Sequence, residues 1–220
     1  MSGPGSRVVA VDGPAASGKT TLARRLAVHF DLDFLDTGLL YRAVARALLQ
    51  AGKPFTDTAA AAAAAAAVAA ADLDRRALRS EAVSHGASVV AAIPEVRRAL
   101  LAFQRQFGDG GAGAVLAGRD IGTVVRPDAS HKIFVTASVE ERARRRCKEL
   151  QALGVPTIYD DVLAQLQERD ARDRSRAIAP LVPASDAFVI DTTDQDIETA
   201  FEVARAYVAG PARGGTPAAS

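Results

Sequence analysis

Cysteine is almost absent: Cys147 stands alone among 220 residues. A single thiol leaves no disulfide framework and no cysteine-rich zinc site. The histidines, His29, His85 and His131, are widely spaced, so each reads as a surface residue of a helix or strand, not a metal ligand. No apolar stretch resembles a membrane span, and the residues around Met1 lack the charged and apolar parts of a signal peptide. Charge of one sign is lacking too. Lysine and arginine number 27 against 26 acids, a net +1, which gives no reason to expect polyanion binding by the whole surface. These absences point to a cytosolic protein with no membrane or nucleic-acid partner, and a monomer is expected. With 49% hydrophobic residues the chain can bury a substantial core as a single domain over residues 1–220, ordered over about 7–208.

One segment carries most of the information. Val8-Val9-Ala10-Val11-Asp12-Gly13-Pro14-Ala15-Ala16-Ser17-Gly18-Lys19-Thr20 is a short apolar run, a glycine-flanked loop and a Lys-Thr pair that opens a helical pattern. It matches the phosphate-binding loop GxxxxGK[ST] in its strand–loop–helix context. The glycines let the backbone close round a phosphate, and the N–H groups from Gly13 to Thr21 supply partial positive charge with the helix N-terminus. Lys19 is expected at the β- and γ-phosphates, and the Thr20 hydroxyl on Mg²⁺. The alternative, a chance motif on a surface turn, is disfavoured because Thr21-Leu22-Ala23-Arg24-Arg25-Leu26-Ala27 continues as an amphipathic helix. The expected ligand is a nucleoside triphosphate.

Short runs rich in β-branched residues predict strands at Arg7–Val11, Asp33–Leu35, Ala114–Leu116, Lys132–Val135 and Ala187–Ile190. Helical patterns separate them at Thr20–Phe30, Leu39–Gln50, Pro94–Phe107, Val139–Leu153, Val162–Arg176 and Ile197–Val208. Ser138-Val139-Glu140-Glu141 has capping-box spacing. Alternating strands and helices imply a mostly parallel sheet covered on both faces, with ligands beyond the carboxyl ends of its strands. Gly13–Thr20, Asp36–Gly38, Gly118–Asp120 and Thr136–Ser138 all fall there. Ala59–Ala71 is alanine except for Val68 and reads as a helix in a peripheral insert, capped by Thr56 or Thr58. Met1–Ser6 is uncommitted, and Gly210–Ser220, rich in Gly, Pro, Ala and Ser, is expected to be disordered.

A phosphate loop alone admits kinases, GTPases and motor ATPases. No Asn-Lys-x-Asp motif reads guanine, no strand ends in the apolar run plus Asp of a Walker B box, and the chain is short for a motor. Arginines instead stand where a second phosphorylated ligand would need them. In the run from Arg169 to Arg176, Arg169, Asp173 and Arg176 are spaced i, i+4 and i+7 and share one helix face, bordered by Arg172. A solvated helix laced by ion pairs is the competing explanation. Arg142, Arg144, Arg145 and Arg146 open the preceding helix, with more charge than a solvated face needs, and Arg145 is expected at the nucleotide. Between the two lie Gly154 and Pro156, so residues 145–176 read as a lid closing over polyphosphate.

These residues carry a family resemblance, from about Val8 to Val208, to the bacterial cytidylate kinases of the nucleoside monophosphate kinase group. Its elements are Asp12-Gly13-Pro14, Leu35-Asp36-Thr37-Gly38 with Tyr41-Arg42, and Gly118-Arg119-Asp120-Ile121-Gly122-Thr123-Val124-Val125-Arg126-Pro127-Asp128-Ala129. Glu168-Arg169-Asp170, Arg172-Asp173-Arg174, Ile178-Ala179-Pro180-Leu181 and Ile190-Asp191-Thr192-Thr193 complete it. The resemblance implies an α/β fold: the P-loop three-layer α/β/α architecture with a five-stranded parallel sheet, an acceptor-binding insert at about 39–107 and the lid. It implies ATP- and Mg²⁺-dependent phosphorylation of CMP and dCMP. By the family pattern Thr37, Arg42, Arg119, Arg169 and Arg176 grip the acceptor phosphate and sugar, Asp173 binds sugar hydroxyls, and Ser88, Arg97 and Asp120 read cytosine. An alcohol acceptor such as shikimate on the same scaffold is the competing enzyme, and a nucleotide-driven switch the competing non-enzyme. Three departures stand out. The acceptor insert, from Gly52 to about His85, is shorter than in many relatives and mostly alanine, with no visible β-hairpin. Ala117 occupies a place where relatives often carry Asp, and Arg126 replaces a commonly apolar residue before Pro127.

Overall fold

The computed structural model describes residues 7–74, 77–78, 80–107, 109 and 112–211. The uncommitted start at Met1–Ser6 and nearly all of the expected disordered tail lie outside the described residues. The short apolar runs form one five-stranded sheet: β1 (Arg7–Asp12), β2 (Asp33–Asp36), β3 (Gly113–Gly118), β4 (His131–Thr136) and β5 (Phe188–Asp191), in the order β2-β3-β1-β4-β5. β1 pairs in parallel with β3 and β4, and β4 with β5. Val8 to Val11 are almost wholly buried, as a strand covered on both faces must be. β1 is central, and the chain fills one side of it and then the other. Strand order therefore reverses at β1, and the segment leaving its carboxyl end enters the crevice where such sheets bind ligands. That segment is the phosphate loop.

The helices are α1 (Lys19–Phe30), α2 (Gly38–Gln50), α3 (Thr58–Ala66), α4 (Glu81–Val90), α5 (Pro94–Phe107), α6 (Val139–Ala152), α7 (Tyr159–Ser175) and α8 (Ile197–Ala209). Their starts are chemically marked. Ser138 accepts from the Glu141 N–H and Ser80 from the Val83 N–H, while Pro94 opens α5, where a missing N–H costs nothing. Several expectations need correction. The alanine helix ends at Ala66 and is capped by Asp57, whose carboxylate accepts the Ala60 N–H at 3.0 Å, not by Thr56 or Thr58. Helix α4 lies where no helix was expected, because Gly86 and the β-branched Val83, Val89 and Val90 blur its period. His131 is a buried strand residue, 2% exposed, with its ring edge-on to Tyr207.

The chain divides into two compact units, Met1–Leu35 with Gly108–Ser220, and Asp36–Phe107. In the first, Val9, Val11, Val115, Ile133, Val135 and Ile190 of the sheet pack with Leu22 and Leu26 of α1 and Ala200, Ala204 and Val208 of α8. A second apolar cluster there joins Ala15 of the phosphate loop to Ala143, Cys147 and Leu150 of α6 and to Val162 and Leu166 of α7. The other unit packs α2 (Leu40, Val44, Leu48), α4 (Val83, Val90) and α5 (Val96, Leu100) round their own core. Of the alanine helix only Ala61 and Ala65, one turn apart, are buried. Gly86 is required here: a Cβ at this position would lie 2.4 Å from the Phe55 ring.

Candidate functional site

The phosphate loop has the close backbone geometry its glycines predict. Gly13 has φ 150°, and a Cβ on it would sit 2.0 Å from the Val135 carbonyl oxygen. Gly18 is the N-cap of α1 and gives no side-chain cap, so the N–H groups of the first turn stay directed at the loop. Lys19 is buried and folds back, donating to the Pro14 carbonyl at 3.0 Å. The Ser17 hydroxyl is fully buried without a hydrogen-bond partner, which fits a group reserved for a polar ligand. Beside the loop, Ser17, Gly18, Thr21, Leu22, Val135, Arg145, Thr192, Ile197 and Ala200 line a cavity of about 220 Å³. Its walls are mainly aliphatic, and it is roomy enough for a planar base. Arg145 is fixed at its edge, donating to Glu141 at 3.1 Å and to the Thr192 hydroxyl at 2.9 Å.

Asp12 ends β1 directly before the loop. Its Oδ1 accepts the Ile121 N–H and its Oδ2 the Gly122 N–H, each at 2.8 Å. Burial pushes the Asp12 carboxyl up to about 7; those N–H groups and Lys19 pull it down, and Asp120 adds a little upward. The anchored segment, Ile121–Val125, is a π-helical turn, with Val125 N–H on the Asp120 carbonyl and Arg126 N–H on that of Ile121. Such turns are rare and concentrate at functional sites. Asp120, only 4% exposed, immediately precedes it. Sequence reasoning noted Asp12 as part of a motif and missed this anchoring role. Its signal was an acid closing an otherwise apolar buried strand.

Asp173 is the centre of an arginine cluster. Arg119 Nε donates to its Oδ2 at 2.8 Å, and Arg176 donates to its Oδ1. Burial works to raise the Asp173 carboxyl, but the charges of Arg119, Arg176 and Arg169 outweigh it and hold the group below the usual carboxylate range. Helix α7 stops at Ser175, so Arg176 reaches Asp173 as the C-cap residue, not from within the helix as the spacing predicts. Arg172 pairs with Glu168 on the exposed side. The α6 arginines are less uniform than expected. Arg144 pairs with Glu141 and Arg146 with Glu149, while Arg142 is buried and pairs with Asp170. Arg126 now has a physical account: Asp128 takes its Nε and Nη2, and Asp109 its Nη1 at 3.0 Å, pinning the chain after the π-turn.

In the second unit, Thr37 (N-cap of α2), Ser88 (α4) and Arg97 (α5) are buried. Arg97 donates to the Ala91 carbonyl at 3.2 Å and stands 5.5 Å from the centre of the Tyr41 ring, a cation–π contact. Arg42 Nη1 reaches the Leu78 carbonyl at 3.4 Å. Among the described residues no group of three or more His, Cys, Asp or Glu side chains is placed to hold a metal ion. Ala117 is fully buried in the apolar cluster of α1 and the sheet. No helix among the described residues is long and apolar enough to cross a membrane.

The sequence profile of the family described as Cytidylate kinase matches residues 9–209. Among curated proteins, the cytidylate kinase of Methylocella silvestris is 56% identical over 201 residues, 91% of this chain and 93% of its own. That of Paramagnetospirillum magneticum is 56% identical over 202 residues, 90% of this chain and 96% of its own. Among solved structures, an unliganded sugar kinase from a Janibacter species matches with a TM-score of 0.51 at 17% identity. It covers 93% of this chain and 95% of its own, a likeness of fold.

Proposed function

The chain belongs to the cytidylate kinase family, and on that premise we propose how its residues carry out the reaction. The reaction is transfer of a phosphoryl group from ATP to CMP or dCMP, giving ADP and CDP or dCDP. Relatives of such high identity disfavour an alcohol acceptor such as shikimate.

The loop Gly13–Thr21 holds the ATP phosphates, with Lys19 as the formal charge and the first turn of α1 as the dipole. The cavity beside it takes the adenine, with Arg145 at its edge. The Thr20 hydroxyl would hold Mg²⁺ together with phosphate oxygens, and the bound ion would supply charge neutralisation. On the acceptor side, Arg119, Arg169 and Arg176 grip the phosphate of CMP with Thr37 and Arg42. Asp173 orients the arginines and offers its remaining lone pairs to the sugar. Ser88, Arg97 and Asp120 read the cytosine.

The observation that carries this reading is the Arg119–Asp173–Arg176 cluster, with Arg169 beside it, in the same unit as the phosphate loop. Phosphoryl transfer between phosphates needs positioning and charge neutralisation, and the acceptor phosphate is already anionic, so no strong general base is required. Closure of the lid over the nucleotide excludes water, which would otherwise turn transfer into hydrolysis. We place the enzyme in the cytosol as a monomer acting on free nucleotides. The test is Arg169→Ala and Arg176→Ala. Both should lower kcat/KM for CMP by at least ~100-fold, as removal of a transition-state donor does, and Arg176→Ala should also lose thermal stability because the buried Asp173 loses a partner. Intact kinetics in both would leave the Arg119–Asp173–Arg176 cluster a buried structural network outside the chemistry.

A further inference from the structure

Helices α6 and α7 meet the phosphate loop at Ala15. Its methyl belongs to the apolar cluster formed by Ala143, Leu150, Val162 and Leu166, and its carbonyl accepts from Arg142 Nη1 at 3.3 Å. The same guanidinium donates through Nε to the Ala137 carbonyl at 3.0 Å, at the start of α6. It also forks onto Asp170 of α7, with Nη1 to Oδ1 at 3.2 Å and Nη2 to Oδ2 at 2.6 Å. Arg142 is 3% exposed and Asp170 4%. Asp170 sits next to Arg169 and one turn before Asp173.

A buried ion pair is a poor device for stability alone, since desolvating two charges offsets most of their attraction and apolar side chains of similar size serve as well. What a planar fork adds is direction. Here one guanidinium bonds the loop, the start of α6 and the middle of α7 at once, so sliding α7 along the loop breaks several bonds together. We propose that Arg142 and Asp170 are positioning residues that hold α7 in register with the phosphate loop, so that Arg169 and Arg176 meet the phosphoryl group at transfer distance. The proposal rests on the reading of α7 as the arginine face of the transfer site. Neither residue touches substrate. Their loss leaves the ATP-binding groups of the loop in place but shifts Arg169 and Arg176 against the phosphoryl group, and a misplacement of about 1 Å can cost on the order of 100-fold in rate.

The experiment compares the unsubstituted enzyme with Asp170→Asn, Arg142→Lys and the double variant Arg142→Met/Asp170→Leu. CDP formation, calorimetric dissociation constants for ATP and CMP, and thermal denaturation are measured on each. The expected result is a kcat lowered by about 10- to 100-fold in every variant, with the ATP dissociation constant close to that of the unsubstituted enzyme and the CMP dissociation constant raised, since Arg169 and Arg176 also grip its phosphate. Asp170→Asn loses thermal stability because the buried guanidinium loses its charged partner, and Arg142→Lys because an ammonium cannot make the fork; the double variant regains it without regaining kcat. Restoration of kcat together with stability in the double variant would show that the pair merely holds the fold, and so would an unchanged kcat in Asp170→Asn. Failure of the unsubstituted enzyme to make CDP would instead overturn the transfer-site reading beneath the proposal, and the two failures are told apart in one assay.

Discussion

At Asp12 the cost of burying a carboxylate is set against two backbone N–H groups of the π-turn that it satisfies. Because its carboxyl is pushed up to about 7, the folded protein holds this proton more tightly than the unfolded chain does. Stability from this group is fully present below the ordinary carboxylate range and is lost as pH rises to about 7. The loss amounts to roughly 4 kcal/mol across that window. Urea denaturation at pH 5 and pH 8 should therefore show the unsubstituted protein losing stability relative to Asp12→Asn as pH rises. A pH-independent difference between the two would contradict the assignment. Lys19 was legible from its motif alone. Lys19→Ala should keep its fold by circular dichroism and lose on the order of 10²–10³ in turnover, the cost of removing a comparable electrostatic donor. Near-normal turnover would remove the phosphate loop from the chemistry. The Arg142–Asp170 pair was not legible, because a buried arginine and an exposed one look alike in a run such as Arg142-Ala143-Arg144-Arg145-Arg146.

Among elements, the strands and long helices could be read to within a few residues, since buried apolar runs and capping residues are local signals. Helix α4 and the π-turn were not, for different reasons. Gly86 lowers the helix propensity of α4 and is kept because Phe55 packs where its Cβ would be. The π-turn depends on Asp12, distant in sequence, so no local pattern announces it. Gly86→Ala should force the Phe55 ring aside and cost about 1–3 kcal/mol. Because Ser88 lies on the same helix, we expect KM for CMP to rise while KM for ATP stays unchanged. Equal rises in both would contradict the assignment of α4 to the acceptor.

For the whole molecule, the alternation of strands and helices predicts the sheet, and the strand order at β1 then explains why the phosphate loop has its place. The family resemblance marks an insert at about 39–107, close to the unit Asp36–Phe107, but the core of that unit, built from Leu40, Val44, Val90 and Leu100, depends on contacts no period reveals. Lys19, Arg119 and Asp173, which we propose for the phosphate chemistry, lie in one unit, and Ser88 and Arg97 in the other. The central claim is that this chain joins transfer from ATP to recognition of cytosine. Cytosine presents an N4 donor and an N3 acceptor, where uracil presents an O4 acceptor and an N3 donor, so in the roles we propose for Asp120 and Arg97 each polar contact would be mispaired with uracil, at roughly 1–3 kcal/mol apiece. The most direct measurement is a panel of CMP, dCMP, UMP, AMP and GMP with ATP and Mg²⁺, following ADP and the diphosphate product together. The account predicts CDP and ADP formed mole for mole, dCMP accepted, purines rejected, and CMP preferred over UMP by about 100-fold or more in kcat/KM. Equal use of CMP and UMP, or ADP without a matching diphosphate, would contradict it.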